Sequence, residues 1–444
     1  MIISLCVIIN NRTGALTITK DNKFGIGLFY SKTPGIGGVI RQQVEDFIVG
    51  EITNRVETTN GNYLIAELTK HNWEIHHLVR DLSRILRISQ KRIGWAGTKD
   101  KRAVTTQKIS IWELSEEELA RVQLKDVELK VAGRSNRKVA LGDLWGNRFK
   151  ITVRDIGLNA DENRTRLETI SKELENGCPN FFGVQRFGDT RPVTHVVGEA
   201  LVRGNLKEAA LTYIARPFPD EPDEFKNVRR FVWESGNFKE GINRYPSKLQ
   251  FEIAMMNHLI AHPDDFSGAF RVLSPNLQKM FLHAYQSYIF NIILSRRIEK
   301  GLSIHEAYDG DIVCFKNEAG LPDTSRLQKV TADNLDGINN LIKRGRAFVT
   351  APLVGYDTQF AEGAPGEIEQ GVISELDVNL EGFRVPDMPE IASKGLRREI
   401  IIPVKPEFSV EMDEINEGKT KVVLEFSLQK GAYATTVLRE YMKN

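Results

Sequence analysis

The chain has 444 residues, 41% hydrophobic and 27% charged, which is enough for two domains, or for one domain carrying a large insertion, in a soluble globular protein. Lysine and arginine number 60 against 59 acidic residues, a net charge of +1, so a tight, indiscriminate polyanion coat is excluded and any affinity for nucleic acid must come from a local basic face. Cys6, Cys178 and Cys314 lie far apart with no C-x-x-C pair, which excludes a disulfide framework and a thiolate zinc site and points to a reducing, cytoplasmic compartment.

In chain order, the opening MIISLCVIIN is apolar but lacks a basic leader and a small-residue cleavage site. It is also shorter than the roughly 20 residues that span a bilayer, so a buried strand or an upstream extension is expected, with no membrane association. YLIAE at 63–67 reads as a strand, and Ile75, Leu78, Val79, Leu82, Ile85 and Leu86 mark one face of a helix over 75–86. RIGWAG then forms a short apolar strand entering GTKDKRAV, which puts Asp100 at a strand end. Ser115 with Glu118 makes a capping box ahead of a helix. VELKVAG and RFKITVRDI read as strands, followed by a polar-rich helix from about Asp161 to Glu175.

The character of the chain changes near residue 200. From there to about 395 it is mainly helical, including FEIAMMNHLIAH and the long run NLQKMFLHAYQSYIFNIILSRRIEKG, with breaks at RPFPDEPDE and FAEGAPGEIEQG. Val422, Leu424, Phe426 and Leu428 alternate as a half-buried strand, and YATTVLREYMK closes as a helix. The two ends therefore read as one α+β sheet domain, residues 1–200 with 395–444, and residues 201–394 as an insertion within it.

Several chemistries fail on spacing. EGKT at 417–420 resembles the end of a phosphate-binding loop, but the glycine needed at 413 is Asp413. His258 and His262 stand four apart, yet Leu259 occupies the place of the glutamate that a zinc hydrolase uses as base, so structural histidines are expected and no metal. No G-x-S-x-G elbow and no strand-linked G-x-G-x-x-G occurs.

Two short segments carry the remaining signal. In GWAGTKDKRAV, Asp100 lies between Lys99, Lys101 and Arg102, and that positive surrounding favours an ionised carboxylate and attracts a polyanion. NFFGVQRFG at 180–188 gathers Asn180, Phe182, Gln185, Arg186 and Phe187 between glycines, either as a loop that stacks on and hydrogen-bonds a base or as one whose phenylalanines enter the core. In HAYQSYIFN at 283–291, helical spacing makes Tyr285, Tyr288 and Ile289 packing residues. Arg439 in KGAYATTVLRE could touch a phosphate or pair with a carboxylate.

Taken in this order over most of the chain, GWAGTKDKRAVT, NFFGVQRFG, LHAYQSYIFN and FSLQKGAYATTVLRE resemble the signature segments of the TruD family of tRNA pseudouridine synthases. GGVIRQQVEDFIVGEI at 37–52 is similar to the family's N-terminal segment, in which a basic residue, here Arg41, stands four positions before a Glu-Asp-Phe triplet, here Glu45, Asp46 and Phe47. The family's usual proline before the triplet is replaced by Val44, which bears on turn rigidity more than on chemistry.

The resemblance implies a pseudouridine synthase core, a mixed sheet flanked by helices, interrupted by a large, mainly helical α/β insertion. It implies an isomerase acting on tRNA, typically on uridine 13 of the D-arm, with no cofactor and no obligate protein partner. It implies Asp100 as the catalytic carboxylate, Arg41 as the cation that keeps it ionised, Phe182 as the ring that receives an extruded uracil, and Asn180 as a group that orients the loop or hydrogen-bonds near the carboxylate. Lys99, Lys101, Arg102, Arg186 and Arg439 are then expected to face the RNA. The rival expectation is an RNA-binding or chaperone protein of the same fold without the chemistry.

Overall fold

The computed structural model describes residues 24–188 and 190–444; the expectation for MIISLCVIIN lies outside them. In chain order come β1 (Val39–Ile40), β2 (Phe47–Ile52), β3 (Tyr63–His71), α1 (Ile75–Ile85), β4 (Ile93–Trp95), β5 (Val104–Trp112), α2 (Glu116–Ala120), β6 (Val127–Ser135), β7 (Gly146–Ile156), α3 (Ala160–Glu173) and the short β8 (Cys178–Pro179). Next are α4 (Thr194–Val202), α5 (Leu206–Ala215), α6 (Asp223–Ser235), α7 (Phe238–Arg244), α8 (Gln250–Ala261), α9 (Phe266–Arg271) and α10 (Pro275–Glu299). β9 (Ile312–Lys316), β10 (Pro322–Lys329), α11 (Leu335–Lys343), β11 (Ala347–Leu353), α12 (Gly363–Glu375), β12 (Leu396–Glu399), β13 (Ile401–Ile402), β14 (Glu407–Met412), β15 (Thr420–Gln429) and α13 (Ala434–Met442) complete the order.

The described chain divides into two compact units, Phe29–Cys178 with Ile402–Asn444, and Pro179–Ile401 with residues 24–28. The boundaries therefore fall at 178/179 and 401/402, not near 200 and 395. Composition changes later than packing at the first boundary and earlier at the second. Asn180 already donates its backbone N–H to the Ile400 carbonyl (2.9 Å), and β12 is paired with β11 from Leu396 onward. Both flanks are thus tied to the helical unit before and after the stretch whose composition marks it.

The sheet unit is built on nine strands in the order β14-β15-β7-β2-β5-β3-β6, with β1 also on β7 and β4 on β5. The sheet is mixed: β2 runs parallel to β5 (Ile48 opposite Val104), and β2–β7, β3–β5 and β15–β7 are antiparallel. Period-two alternation decides which side chains turn inward. Phe47, Val49, Phe149, Ile151, Val153, Val422, Leu424, Phe426 and Leu428 pack with Leu167 and Ile170 of α3 and with Val437, Leu438 and Tyr441 of α13. A second cluster joins Leu64, Ala66 and Leu68 of β3 to Ile75, Leu78, Val79 and Leu82 of α1. The mixed sheet flanked by helices is the fold that the resemblance implied.

The helical unit also contains an antiparallel sheet, β10-β9-β11-β12. Helix α10 is its 25-residue backbone element, started by Ser274, whose hydroxyl accepts from Leu277 N–H, and by Pro275 at the first turn. Gly198 lets α4 lie against α10, since a Cβ there would come within 2.2 Å of the Phe281 carbonyl oxygen. Buried charge is paired: Arg229 bonds Glu221 (2.9 Å) and Glu252 (2.8 Å) and caps the Ile214 carbonyl at the end of α5 (2.8 Å).

His195 near the start of α4 is buried among rings, stacked on Tyr288 (5.0 Å between centroids) and edge-on to Phe187 (5.2 Å). Burial, with the Arg216 charge as a lesser cause, pulls its pKa down to about 4. The unfolded imidazole takes its proton near 6.5, so His195 supports the fold fully above that value and its contribution is lost as pH falls towards 4. At pH 4.5 the loss is on the order of 2 kcal/mol. Unfolding of the wild type and of His195→Phe, compared at pH 6.5 and 4.5, should show a smaller acid-induced loss in the variant; equal losses would refute the assignment.

Candidate active site

Asp100 lies in the turn between β4 and β5, with its side chain 41% exposed. Arg41 follows β1, and its Nη2 lies 2.8 Å from Asp100 Oδ1. The parallel pairing of β2 with β5 explains the meeting: Ile48 stands opposite Val104, so the segment entering β2 runs beside the turn entering β5. Arg41 has φ +62°, a left-handed conformation that costs a side-chain-bearing residue about 1–2 kcal/mol. Something around it must hold that conformation.

The Glu-Asp-Phe triplet supplies much of the restraint, one residue at a time. Phe47 is buried and lies under the Arg41 guanidinium, 4.2 Å from ring centroid to Cζ. Asp46 is also buried; its Oδ2 accepts Gln43 N–H (2.7 Å), closing the turn where the proline is absent, and its Oδ1 accepts Arg154 Nε (2.7 Å). Arg154 continues to Asp413 (2.9 Å) and Glu414 (3.1 Å). Burial works against its charge, but the bonds to Glu414 and Asp46 outweigh that and raise its pKa. Glu45 is exposed and stands 4.0 Å from His71.

A second support comes from below the turn. Lys70 of β3 is fully buried, and its ammonium donates to the backbone carbonyls of Asp100 (2.9 Å) and Trp73 (2.6 Å). Burial lowers its pKa to about 8 against the opposing pull of Asp100. Gln107 Nε2 donates to the Gly97 carbonyl (3.3 Å) and Asn72 N–H to that of Ala103 (3.1 Å), so the turn is tied at both ends.

The basic residues expected at the RNA face separate into two groups. Lys101 and Arg102 are exposed, Arg102 also reaching the Gln42 carbonyl (3.2 Å). Lys99 is a correction: its side chain is 5% exposed and its ammonium faces the equally buried Glu51 carboxylate (3.2 Å), so it neutralises an internal charge. Arg439 is another. Its guanidinium lies 3.9 Å from the Phe29 ring centroid and 3.7 Å from Glu440, with a side chain 10% exposed. Of the two readings open for Arg439, the carboxylate partner is the one observed.

The NFFGVQRFG segment lies in the helical unit. Asn180 is buried, and its Nδ2 donates to the Glu399 carbonyl (2.9 Å) and Oε1 (3.0 Å), while Oδ1 accepts Arg398 Nη2 (2.6 Å). Arg398 also stacks on Phe182, 4.2 Å from Cζ to the ring centroid, and Phe290 meets that ring edge-on (5.5 Å). Burial raises the Glu399 pKa, with Arg398 pulling the other way. Asn291 of α10 clamps Phe182 through both backbone groups, accepting its N–H (2.8 Å) and donating to its carbonyl (3.1 Å), and also donates to the Phe24 carbonyl (2.9 Å). Arg186 is half-buried, and its Nε donates to Ser287 Oγ (3.2 Å). Phe187 enters the core, stacked on Phe24 (5.4 Å).

HAYQSYIFN thus has two faces of use. Tyr285 and Ile289 pack in the core, Tyr285 stacked on Phe383, while Ser287 and Asn291 hold the NFFGVQRFG loop. Composition hid Lys70, Arg398 and Asn291. Lys70 had a usable signal: Leu64, Ala66, Leu68 and Lys70 share one face of β3, and that face is the buried one. Arg398 had none.

The excluded motifs have structural occupations. EGKT lies at the turn between β14 and β15, where Asp413 N–H donates to the Lys419 carbonyl (3.0 Å). His258 Nε2 is 2.8 Å from Asp265 Oδ2. Among the described residues no cluster of three His, Cys, Asp or Glu is arranged to hold a metal, and no helix is long and apolar enough to cross a membrane.

The family model described as tRNA pseudouridine synthase D (TruD) matches residues 23–441. A Methanococcoides burtonii protein described as a tRNA pseudouridine synthase D is 60% identical over 425 residues, covering 95% of this chain and 97% of its own. A Halobacterium salinarum protein with the same description is 37% identical over 440 residues, again covering 95% and 97%. Among solved structures, a crystal structure of a Methanosarcina mazei protein titled as a tRNA pseudouridine synthase D (TruD) superposes with a TM-score of 0.85 at 59% identity, covering 95% of this chain and 97% of that one.

Asn291→Leu removes three hydrogen bonds, those with Phe182 N–H, Phe182 C=O and Phe24 C=O. At about 0.5–1.5 kcal/mol net for each hydrogen bond, the variant should lose roughly 3 kcal/mol in urea unfolding. A loss near 1 kcal/mol or less would show that the clamp is not what holds the loop.

Proposed function

The chain belongs to the tRNA pseudouridine synthase D (TruD) family, and on that premise we propose that it isomerises a uridine of tRNA, the one at position 13 of the D-arm, to pseudouridine with Asp100 as the catalytic carboxylate. The observation that carries the proposal is the Arg41–Asp100 pair, an acid and a cation distant in sequence that meet at 2.8 Å on an accessible turn.

The reaction breaks the C1′–N1 glycosidic bond, turns the uracil, and joins C1′ to C5; the C5 proton leaves and N1 gains one, so atoms and electrons balance without a co-reactant. A carboxylate beside the sugar can act as nucleophile at C1′ or as the base that removes a sugar proton. Both need it ionised when a phosphate-rich ligand covers it, and Arg41 supplies the opposing charge. The uridine must leave its stack, at a cost of a few kcal/mol. Phe182 is assigned as the ring that receives it, and it has no hydroxyl with which to act as acid or base. Arg398, stacked on that ring, and Asn180, bonded to Arg398, keep it in place. Lys101, Arg102 and Arg186 are the phosphate contacts; Lys99 and Arg439 leave that set. The reading places the catalytic domain in the sheet unit and the family's insertion in the helical one.

Asp100→Asn should bind tRNA with wild-type affinity and form no pseudouridine, read by carbodiimide primer extension on transcripts incubated with purified protein and no added cofactor. Retained turnover would overturn the assignment, and wild-type binding without any modified position would favour the non-catalytic rival. Lys101→Ala and Arg102→Ala should each lower the slope of log affinity against log salt by about 0.7–0.9. An unchanged slope would remove that residue from the phosphate contacts.

A further inference from the structure

Lys70 is a buried cation that the proposed chemistry leaves unused. Its side chain projects from the face of β3 that also carries Leu64, Ala66 and Leu68, all buried, where an amine is costly unless it does something an apolar side chain cannot. What it does is donate to two main-chain carbonyls, Asp100 (2.9 Å) and Trp73 (2.6 Å), one in the turn before β5 and the other just ahead of α1. Opposite Lys70 on β5 is Thr105, two residues after the turn ends at Ala103. The ammonium is therefore anchored to the sheet at one end and bonded to the candidate catalytic residue's own peptide at the other.

We infer that Lys70 is a positioning residue for Asp100, fixing the turn so that the carboxylate projects outward to Arg41 while its carbonyl is held inward. The inference rests on the proposed role of Asp100 and extends it to a residue that touches neither RNA nor the reacting atoms. The pair at the surface is weak and flexible by itself, and a main-chain tether is what converts it into one fixed geometry. Misplacement of a reacting group by about 1 Å costs ~10²-fold in rate. The Lys70 ammonium bonds the Asp100 peptide and not its carboxylate, which stays hydrogen-bonded to Arg41, so the effect of a change at Lys70 falls on the chemical step and not on RNA capture.

Lys70→Met keeps the length and apolar stem and removes the donor; Lys70→Gln keeps a donor without the charge. With tRNA as substrate, kcat of Lys70→Met should fall ~100-fold while KM stays within about twofold, and Lys70→Gln should recover part of the loss. Amide hydrogen exchange should quicken at residues 96–103 in Lys70→Met while the remainder of the sheet unit keeps its protection. A kcat within twofold of wild type, or loosened exchange throughout the unit, overturns the inference. Asp100→Asn measured alongside separates the two proposals: turnover retained there defeats the Asp100 reading, whereas turnover lost there but intact in Lys70→Met defeats only this one. The exchange measurement tests the tether independently of any activity.

Discussion

The ion pair between Arg41 and Asp100 is the contact on which the candidate site depends, and it is too weak to maintain itself. Both side chains are partly exposed, 26% and 41%, and a pair in that setting is worth about 0–1 kcal/mol. The left-handed backbone at Arg41 costs about as much or more. The geometry is therefore imposed by surrounding structure. Breaking a buried pair by removing one partner costs about 3–5 kcal/mol, so the Asp46–Arg154–Asp413 network is strong enough to force the segment before β2 into the strained path. Phe47 then supports the guanidinium, and Lys70 fixes the opposing turn. Strain at one residue is offset by buried charge pairing at others, a pattern characteristic of functional sites.

The loop in the helical unit follows a similar rule with different chemistry. Phe182 is held by its own backbone through Asn291 and by its ring through Arg398, and Arg398 is in turn fixed by Asn180. Each polar group of the Asn180 side chain is occupied by a protein partner. The amide carbonyl takes the guanidinium and the amide nitrogen takes Glu399, so one side chain links Arg398 and Glu399.

Much of the architecture was legible in the sequence because periodicity reports burial directly. The β3, β6, β7 and β15 strands, the α1, α3, α8, α10 and α13 helices and the Ser115–Glu118 capping box all lie where alternation, helical spacing and cap chemistry put them. The meeting of Arg41 with Asp100 followed from the resemblance, and local pattern alone would not have shown it, because it depends on the parallel pairing of β2 with β5. What could not be read was the direction of charged side chains. Lys99, Lys101 and Arg102 look equivalent as letters, but Lys99 turns in towards Glu51, a residue 48 positions earlier on β2. The unit boundaries were displaced for a related reason: residues 179–200 have the composition of either unit, and only their hydrogen bonds and packing assign them.

The charge pattern of the turn has a physical explanation in this division of directions. A carboxylate flanked by cations needs the turn to be stable before ligand arrives, yet cations that all pointed outward would repel one another. Lys99 is neutralised by Glu51 within the sheet, Lys70 satisfies the carbonyl beneath Asp100, and only Lys101 and Arg102 add to the outward potential. Lys70 thus holds the backbone of the turn from the buried side, Arg41 pairs with the acid, and Lys101 and Arg102 stand exposed next to it in the chain. A chain with a net charge of +1 can in this way present a locally positive turn to a polyanion without becoming a general polyanion binder.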